Sequence, residues 1–413
     1  MLMIFLQNKR LHLYFYMFQT LFTYTITILL MLGCVYQAQR IYPYNETGAI
    51  IRKKTQLYLV WLGIAFFVFS FVFGIRYDVG VDHIKYVDIY LYGYEFEQNE
   101  LLYVIWNNAF SLLKMPYPIF FATISFFLIS TFFLAFKKES KLYVFFVLFL
   151  FFDGQVNSWN NVIRVSISCC IWIFSINYIA RKKIIHFMAC CILAVGFHTS
   201  SIVLFLGYPL LVSGKNYFKR IPVQLSLVAV AFIVRYLFSS VLEPIMQMME
   251  LYVGLISKYE YYTNSVNSFE QVESSGTNLA FYARIIVNIF IILNSPNLHK
   301  FYNDRKFNII YNIYFVGLLI NYAMPAGFVA LSRPFVFFWI FGTIVLAYYA
   351  YYLKSTQKSG ALILILVLYI GLYYGSLIRG VPNTNAHVKY QTYFDHPEVS
   401  LVPKYKPHNL LEN

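Results

Sequence analysis

The side chains of this protein that could do chemistry are a set of arginines, a few carboxylates and one histidine, all at the ends of long apolar runs. Arg76, Arg164, Arg284 and Arg333 are the arginines, and Asp82, Glu100 and His198 accompany them. A planar guanidinium makes paired hydrogen bonds to phosphate oxygens, which a lysine ammonium does not match. Arginine at membrane depth costs about 2.5–3.5 kcal/mol to insert, so each such residue calls for a function. A carboxylate or an imidazole beside them could take a proton from an attacking hydroxyl. These groups suit displacement at a sugar carbon that carries a lipid diphosphate. The arginines would hold the leaving diphosphate and stabilise its growing charge. Asp82 is the first choice as general base, with Glu100 and His198 in reserve. Plainer roles compete: Arg235 and Arg379 suit snorkelling to headgroups, a lone loop carboxylate is usually solvated, and a histidine ending a helix often caps it.

The elements that must position these groups are membrane helices. Of 413 residues, 60% are hydrophobic and only 12% charged, and apolar runs recur along the whole length. This predicts an all-α polytopic membrane protein of about twelve transmembrane helices. The spans fall near residues 18–36, 56–74, 117–136, 141–152, 161–180, 184–197, 199–212, 222–241, 279–294, 309–324, 335–353 and 360–377. The basic clusters IIRKK, KKESK, ARKK, GKNYFKR, HKFYNDRK and KSTQK then share one side, which the positive-inside rule makes cytoplasmic. The net charge of +14 is thereby a topology signal, and nucleic acid is not expected as a partner.

All of the eighteen acidic residues except Glu46, Glu139 and Asp304 then lie on the outer side. The chain reads as one membrane domain, residues 1–413, with outer regions at 75–116 and 242–278 and an outer tail at 378–413. Lys9 and Arg10 fit this map poorly, and a start at Met17 would remove the conflict. The run LYVFFVLFLFF is short, and FHTSS interrupts another apolar stretch at residues 197–201. Broken helices of this kind persist where protein or a water-filled cavity satisfies the freed backbone groups. In the first outer region Asp78 and Asp82 are four apart, so a helical turn would put them on one face, and NELLYVIWNNAF reads as an amphipathic segment opened by Glu100.

Other chemistries lack their motifs. Cys34, Cys169, Cys170, Cys190 and Cys191 all sit in apolar runs, without zinc or disulfide-framework spacing. Neither a D-x-D pair nor clustered metal ligands are present, so no metal or other cofactor is expected. Walker A and glycine-rich nucleotide motifs are also missing, which argues against an ATP-driven exporter or a cytoplasmic nucleotide-sugar enzyme.

The stretch RYDVGVDHIKYV resembles the R-x3-G-x-D-x3-Y pattern of the EpsG and Wzy-type polysaccharide polymerases, with Arg76, Gly80, Asp82 and Tyr86 at the marked positions. NELLYVIW is similar to the Glu-containing segment of that family, with Leu101 where proline is common. NVIRVSIS resembles its arginine motif through Arg164, with Val165 where glutamine often follows. FHTSSIVLFLGYPLL resembles its His-Ser segment through His198 and Ser200. The resemblance covers roughly residues 18–350, with the motifs in order. It implies a multi-pass enzyme of the bacterial cytoplasmic (inner) membrane with its active site on the outer face. Such an enzyme, a glycosyltransferase-like polymerase of O-antigen, capsule or exopolysaccharide, extends glycan from repeat units on undecaprenyl or related polyprenyl diphosphate. The implied partners are the polyprenyl-diphosphate-linked oligosaccharide, membrane lipid and, by analogy, a chain-length regulator. Arg164, Arg284 and Arg333, assisted by Arg76, are then expected at the diphosphate. A flippase or exporter, or a glycan ligase, would handle the same lipid-linked substrate.

Overall fold

The computed structural model describes residues 2–41, 52–93, 100–253, 279–324, 335–383 and 386–404. They form two compact units, one of residues Met1–Phe205 and Leu366–Asn413, the other of Leu206–Ile365.

The first unit contains α1 (Leu2–Arg40), α2 (Arg52–Gly74), a two-residue strand β1 (Arg76–Tyr77), α3 (His83–Tyr92), α4 (Leu101–Leu112) and α5 (Tyr117–Ala135). It continues through α6 (Tyr143–Phe152), α7 (Gln155–Asn161), α8 (Ile163–Ala180), α9 (Ile184–Phe197) and a 3-10 segment (Thr199–Leu206). In the second unit are α10 (Gly207–Leu211), α11 (Ile221–Val253), α12 (Leu279–Leu293), α13 (Ser295–Tyr302), α14 (Arg305–Ala323) and α15 (Val336–Ser355). Helix α16 (Ser359–Gly380) begins in the second unit and leads into the tail strand β2 (Gln391–Thr392) of the first.

Every expected span is helical, and the lengths sort them. Among the described residues, six helices are long and apolar enough to cross a membrane, or eight if each bent pair counts as one crossing. The bent pairs turn by 60°, one between Phe152 and Gln155 and the other between Leu293 and Ser295. The first of these occupies the short apolar run noted in the sequence, where polar residues of QVNSWNN cut the helix before α8 resumes. Helices α4, α9, α10 with its 3-10 lead, and α11 up to Leu237 are apolar but shorter. The expected outer region 242–278 begins inside α11, and residues 254–278 lie outside the described residues.

The first unit is built around α5, which packs against α2, α3 and α8, while α8 packs on α9 and α9 on α4. Gly74 lets α2 approach α5 closely, since a Cβ there would stand 2.6 Å from the Ala122 Cβ and 2.8 Å from the Pro118 carbonyl. An aromatic core of Phe69, Phe73, Phe151, Phe132 and Trp159 fills the space behind, with ring centroids 4.6–6.3 Å apart. Helix α4 is inside out by the standard of a water-soluble protein. Asn107, Asn108 and Ser111 are buried, whereas Leu101, Ile105 and Leu112 are exposed. That arrangement suits a surface facing hydrocarbon, from which polar groups turn inward, and Ser111 donates its hydroxyl to Asn107 Oδ1 at 3.3 Å.

The tail is tied to the first loop region. β2 pairs antiparallel with β1, matching Arg76 to Thr392 and Tyr77 to Gln391. Around this pair, Tyr390 donates its hydroxyl to the Val72 carbonyl at 2.7 Å and its backbone N–H to Thr20 Oγ1 at 2.9 Å. Lys404 N–H reaches the Leu91 carbonyl at 2.8 Å, so the strap runs from α1 across to α3.

Candidate active site

Glu100 stands just before α4, in extended backbone, and its carboxylate joins two other helices. Oε2 accepts a charge-assisted bond from Arg164 Nη1 in the first turn of α8. Oε1 accepts from His198 Nδ1 at 2.9 Å, at the residue that ends α9. His198 is itself extended (φ −159°, ψ 118°), so the break in the apolar run is what turns the imidazole toward Glu100. The three side chains are 11–23% exposed, buried enough to strengthen the interaction yet not sealed. Burial works to raise the Glu100 pKa, but the His198 hydrogen bond and the Arg164 charge outweigh it and hold the carboxyl below its ordinary value.

The consequences for the imidazole follow from its partner. An ionised carboxylate only accepts, so Nδ1 carries the proton that bonds Glu100, and a neutral ring then has its lone pair on Nε2. His198 Nε2 is buried and without a hydrogen-bond partner among the described residues. The Arg164 guanidinium lies 6.0 Å from the Tyr86 ring and 5.8 Å from the Tyr103 ring, so two aromatic faces fix its place.

Asp82 belongs to the same neighbourhood. Its backbone N–H donates to Asn161 Oδ1 at 3.0 Å, immediately before α8. Gly80, two residues earlier, has φ +98°, and a Cβ there would lie 2.8 Å from the Asn160 carbonyl oxygen. Only glycine fits this approach of the loop to the α7–α8 break. Glu100, Asp82 and Arg164 all act on the Tyr86 hydroxyl: burial raises its pKa most, the arginine opposes this, and the two acids add to it. The spacing of Gly80, Asp82 and Tyr86 thus has a structural meaning, a glycine contact and a backbone bond to the arginine helix followed one turn later by a ring beside Arg164.

Arg76 is placed differently. It is 2% exposed, donates to the Phe73 carbonyl and stands over the Phe121 ring at 5.5 Å, beneath the tail strap. Burial lowers its pKa to about 10, with Tyr24 and Tyr390 opposing. His83 stacks on the same Phe121 ring at 4.9 Å, and burial pushes its pKa well below 6.5, with Arg76 adding to the shift. Asp78 follows β1 in left-handed backbone (φ +54°) and Asp82 only begins α3, so the two share no helical face; the Asp78 carboxylate instead pairs with His387 of the tail at 2.8 Å. Arg284 lies on α12 in the second unit, where Arg235 bonds the Met324 carbonyl at 3.0 Å and faces the Phe281 ring at 5.2 Å. Arg333 lies outside the described residues.

Sequence reading named the members of the cluster but not their bonding. Glu100, Arg164 and His198 are separated by 64 and 98 positions from one another's partners, and no periodicity links them. The bracket of Tyr86 and Tyr103 around Arg164 was hidden among 38 tyrosines. Asn161 carried one signal, its place in the polar break just ahead of the arginine.

The model of the EpsG family matches residues 59–392. That interval contains Asp82, Glu100, Arg164 and His198. No curated protein and no solved structure matches the chain.

Proposed function

The chain belongs to the EpsG family, a family of Wzy-type polysaccharide polymerases, and from that premise we propose the reaction that its Glu100 cluster performs. It is a block transfer between two lipid-linked glycans on the outer face of the bacterial cytoplasmic membrane. The growing chain on polyprenyl diphosphate is the donor, and a hydroxyl at the non-reducing end of a new lipid-linked unit is the acceptor.

His198 Nε2 takes the proton of the acceptor hydroxyl as its oxygen bonds to the anomeric carbon of the donor. The bond from that carbon to the diphosphate oxygen breaks, and the electron pair leaves with polyprenyl diphosphate. Glu100 fixes the tautomer of His198 and stabilises the imidazolium once it forms. Arg164 holds the leaving diphosphate, and its neutralising charge lets the transfer proceed without a metal. The single observation that carries this assignment is the carboxylate of Glu100 bonded at once to Arg164 and to His198. It favours His198 over Asp82 as the base, because Nε2 has no hydrogen-bond partner among the described residues while Nδ1 is held by Glu100.

Purified protein in proteoliposomes, supplied with one synthetic repeat unit on polyprenyl diphosphate, tests the reading. The expected product is a ladder of whole-unit multiples, with one polyprenyl diphosphate released per step. Transbilayer movement of the unit without bond formation would instead identify a flippase, and transfer of a single block to an unrelated acceptor a ligase.

A further inference from the structure

Two residues far apart in sequence meet where the tail joins the first loop, and both hold backbone that side chains seldom adopt. Asp78, just after β1, has φ +54°, and His387, ahead of β2, has φ +45°. Residues other than glycine take this left-handed form uncommonly. His387 Nδ1 donates to Asp78 Oδ1 at 2.8 Å, and the His387 carbonyl accepts the Gly80 N–H at 2.8 Å, with Gly80 itself at φ +98°. Three left-handed residues thus close one clasp between tail and loop. The side chains of His387 and Asp78 are 28% and 33% exposed, and an ion pair so open to water adds little to stability. Unusual backbone kept for so small a return in stability points to placement as its use.

The loop is held from two sides. On the tail side are the clasp, the pairing of β1 with β2, and the Tyr393 N–H bond to the Ile75 carbonyl at 3.0 Å. On the other side Gly80 abuts the Asn160 carbonyl, and the Asp82 N–H bonds Asn161 Oδ1 at 3.0 Å, just ahead of the arginine helix. From Gly80 the path to the cluster is short. Its carbonyl accepts the His83 N–H at 3.0 Å, the Asp82 carbonyl accepts the Tyr86 N–H at 3.1 Å, and the Tyr86 ring lies 6.0 Å from the Arg164 guanidinium. We infer that Asp78 and His387 are positioning residues for the transfer, an inference that rests on the polymerase reading. By clasping the loop to the tail they seat the Gly80 turn on the α7–α8 break and so fix Tyr86 beside Arg164. They act through Arg164 and not on substrate. Its hold on the diphosphate matters most as the bond breaks and charge develops, so the loss on opening the clasp falls on kcat.

The test is elongation by the full-length protein in proteoliposomes, with one synthetic repeat unit on polyprenyl diphosphate. Asp78→Ala and His387→Ala should each lower kcat roughly ten- to a hundredfold, the scale of a misplacement remote from the chemistry, with KM held within about twofold. Their melting temperatures should stay near wild type, as expected for so exposed a pair. The double variant should be no slower than the single ones, because the two residues act as a unit. His387→Asn keeps a side-chain donor and tolerates left-handed backbone, so it should restore most of the rate. Losses that multiply in the double variant, a His387→Asn as slow as His387→Ala, or a wild-type rate per folded molecule in the alanine variants would overturn the inference. Hydrogen exchange reads the clasp without turnover. Amides of residues 80–86 should exchange about tenfold faster in His387→Ala than in wild type, and those of α5 at the same rate. Unchanged exchange at 80–86 would also overturn it. Wild-type protein that shows this exchange difference but makes no polymer would refute the polymerase reading, and with it the role in transfer, while the hold on the loop stands.

Discussion

At the scale of single residues, a carboxylate between a guanidinium and an imidazole does two jobs, and substitutions separate them. Arg164→Lys keeps the charge but loses the planar fork and the fit between Tyr86 and Tyr103. Polymer length should collapse while membrane protein level holds, read by gel profiles of extracted glycan beside an immunoblot. Glu100→Gln leaves Arg164 and His198 without their counter-charge, and breaking a pair this buried should cost about 3 kcal/mol, the low end for such pairs. The pH dependence has a definite sign. The Glu100 pKa in the folded protein is below the ordinary 4.5, so the carboxylate stabilises fully above that value and its contribution fades as pH falls through the lower folded-state value. Thermal unfolding of purified wild type and Glu100→Gln should therefore differ at neutral pH and converge below pH 4.5. The residue types were legible in the sequence because outer arginines are costly. Their pairing was not, since a contact between a loop and the ends of two helices leaves no repeat in the chain.

At the scale of elements, the breaks matter as much as the helices. The end of α9 at His198, the α7–α8 interruption and the turn at Gly80 converge on one place, and the first two were visible as defects in an apolar pattern. The outcome of each defect needed tertiary structure, because FHTSS could equally have divided one long span. Gly80→Ala tests the turn. A Cβ there meets the Asn160 carbonyl in a backbone conformation that side chains rarely adopt, so the variant should lose about 1–3 kcal/mol of stability. It should also shorten the polymer, since Asp82 and Tyr86 follow directly. A melting temperature and glycan profile equal to wild type would remove the turn from the site.

At the scale of the whole molecule, hydrophobic composition announced a helical membrane protein, and charge asymmetry predicted which loops share a side. The strap of residues 386–404 was not foreseeable, because its hold on the first loop region depends on backbone bonds such as Gly80 N–H to the His387 carbonyl at 2.8 Å. It does place tail and first loop on one side. With its buried cysteines inert, the protein should allow labelling of Glu398→Cys by an impermeant maleimide in intact spheroplasts, and of Lys182→Cys only after lysis. The reverse pattern would invert the topology. The most direct test of the central claim is the size profile of lipid-linked and surface glycan in a strain lacking this gene, complemented with wild type or with Glu100→Gln. Single repeat units in the deletion strain and with Glu100→Gln, and long chains restored only by wild type, are the predicted result. Long chains persisting without the gene, or restored fully by Glu100→Gln, would contradict it.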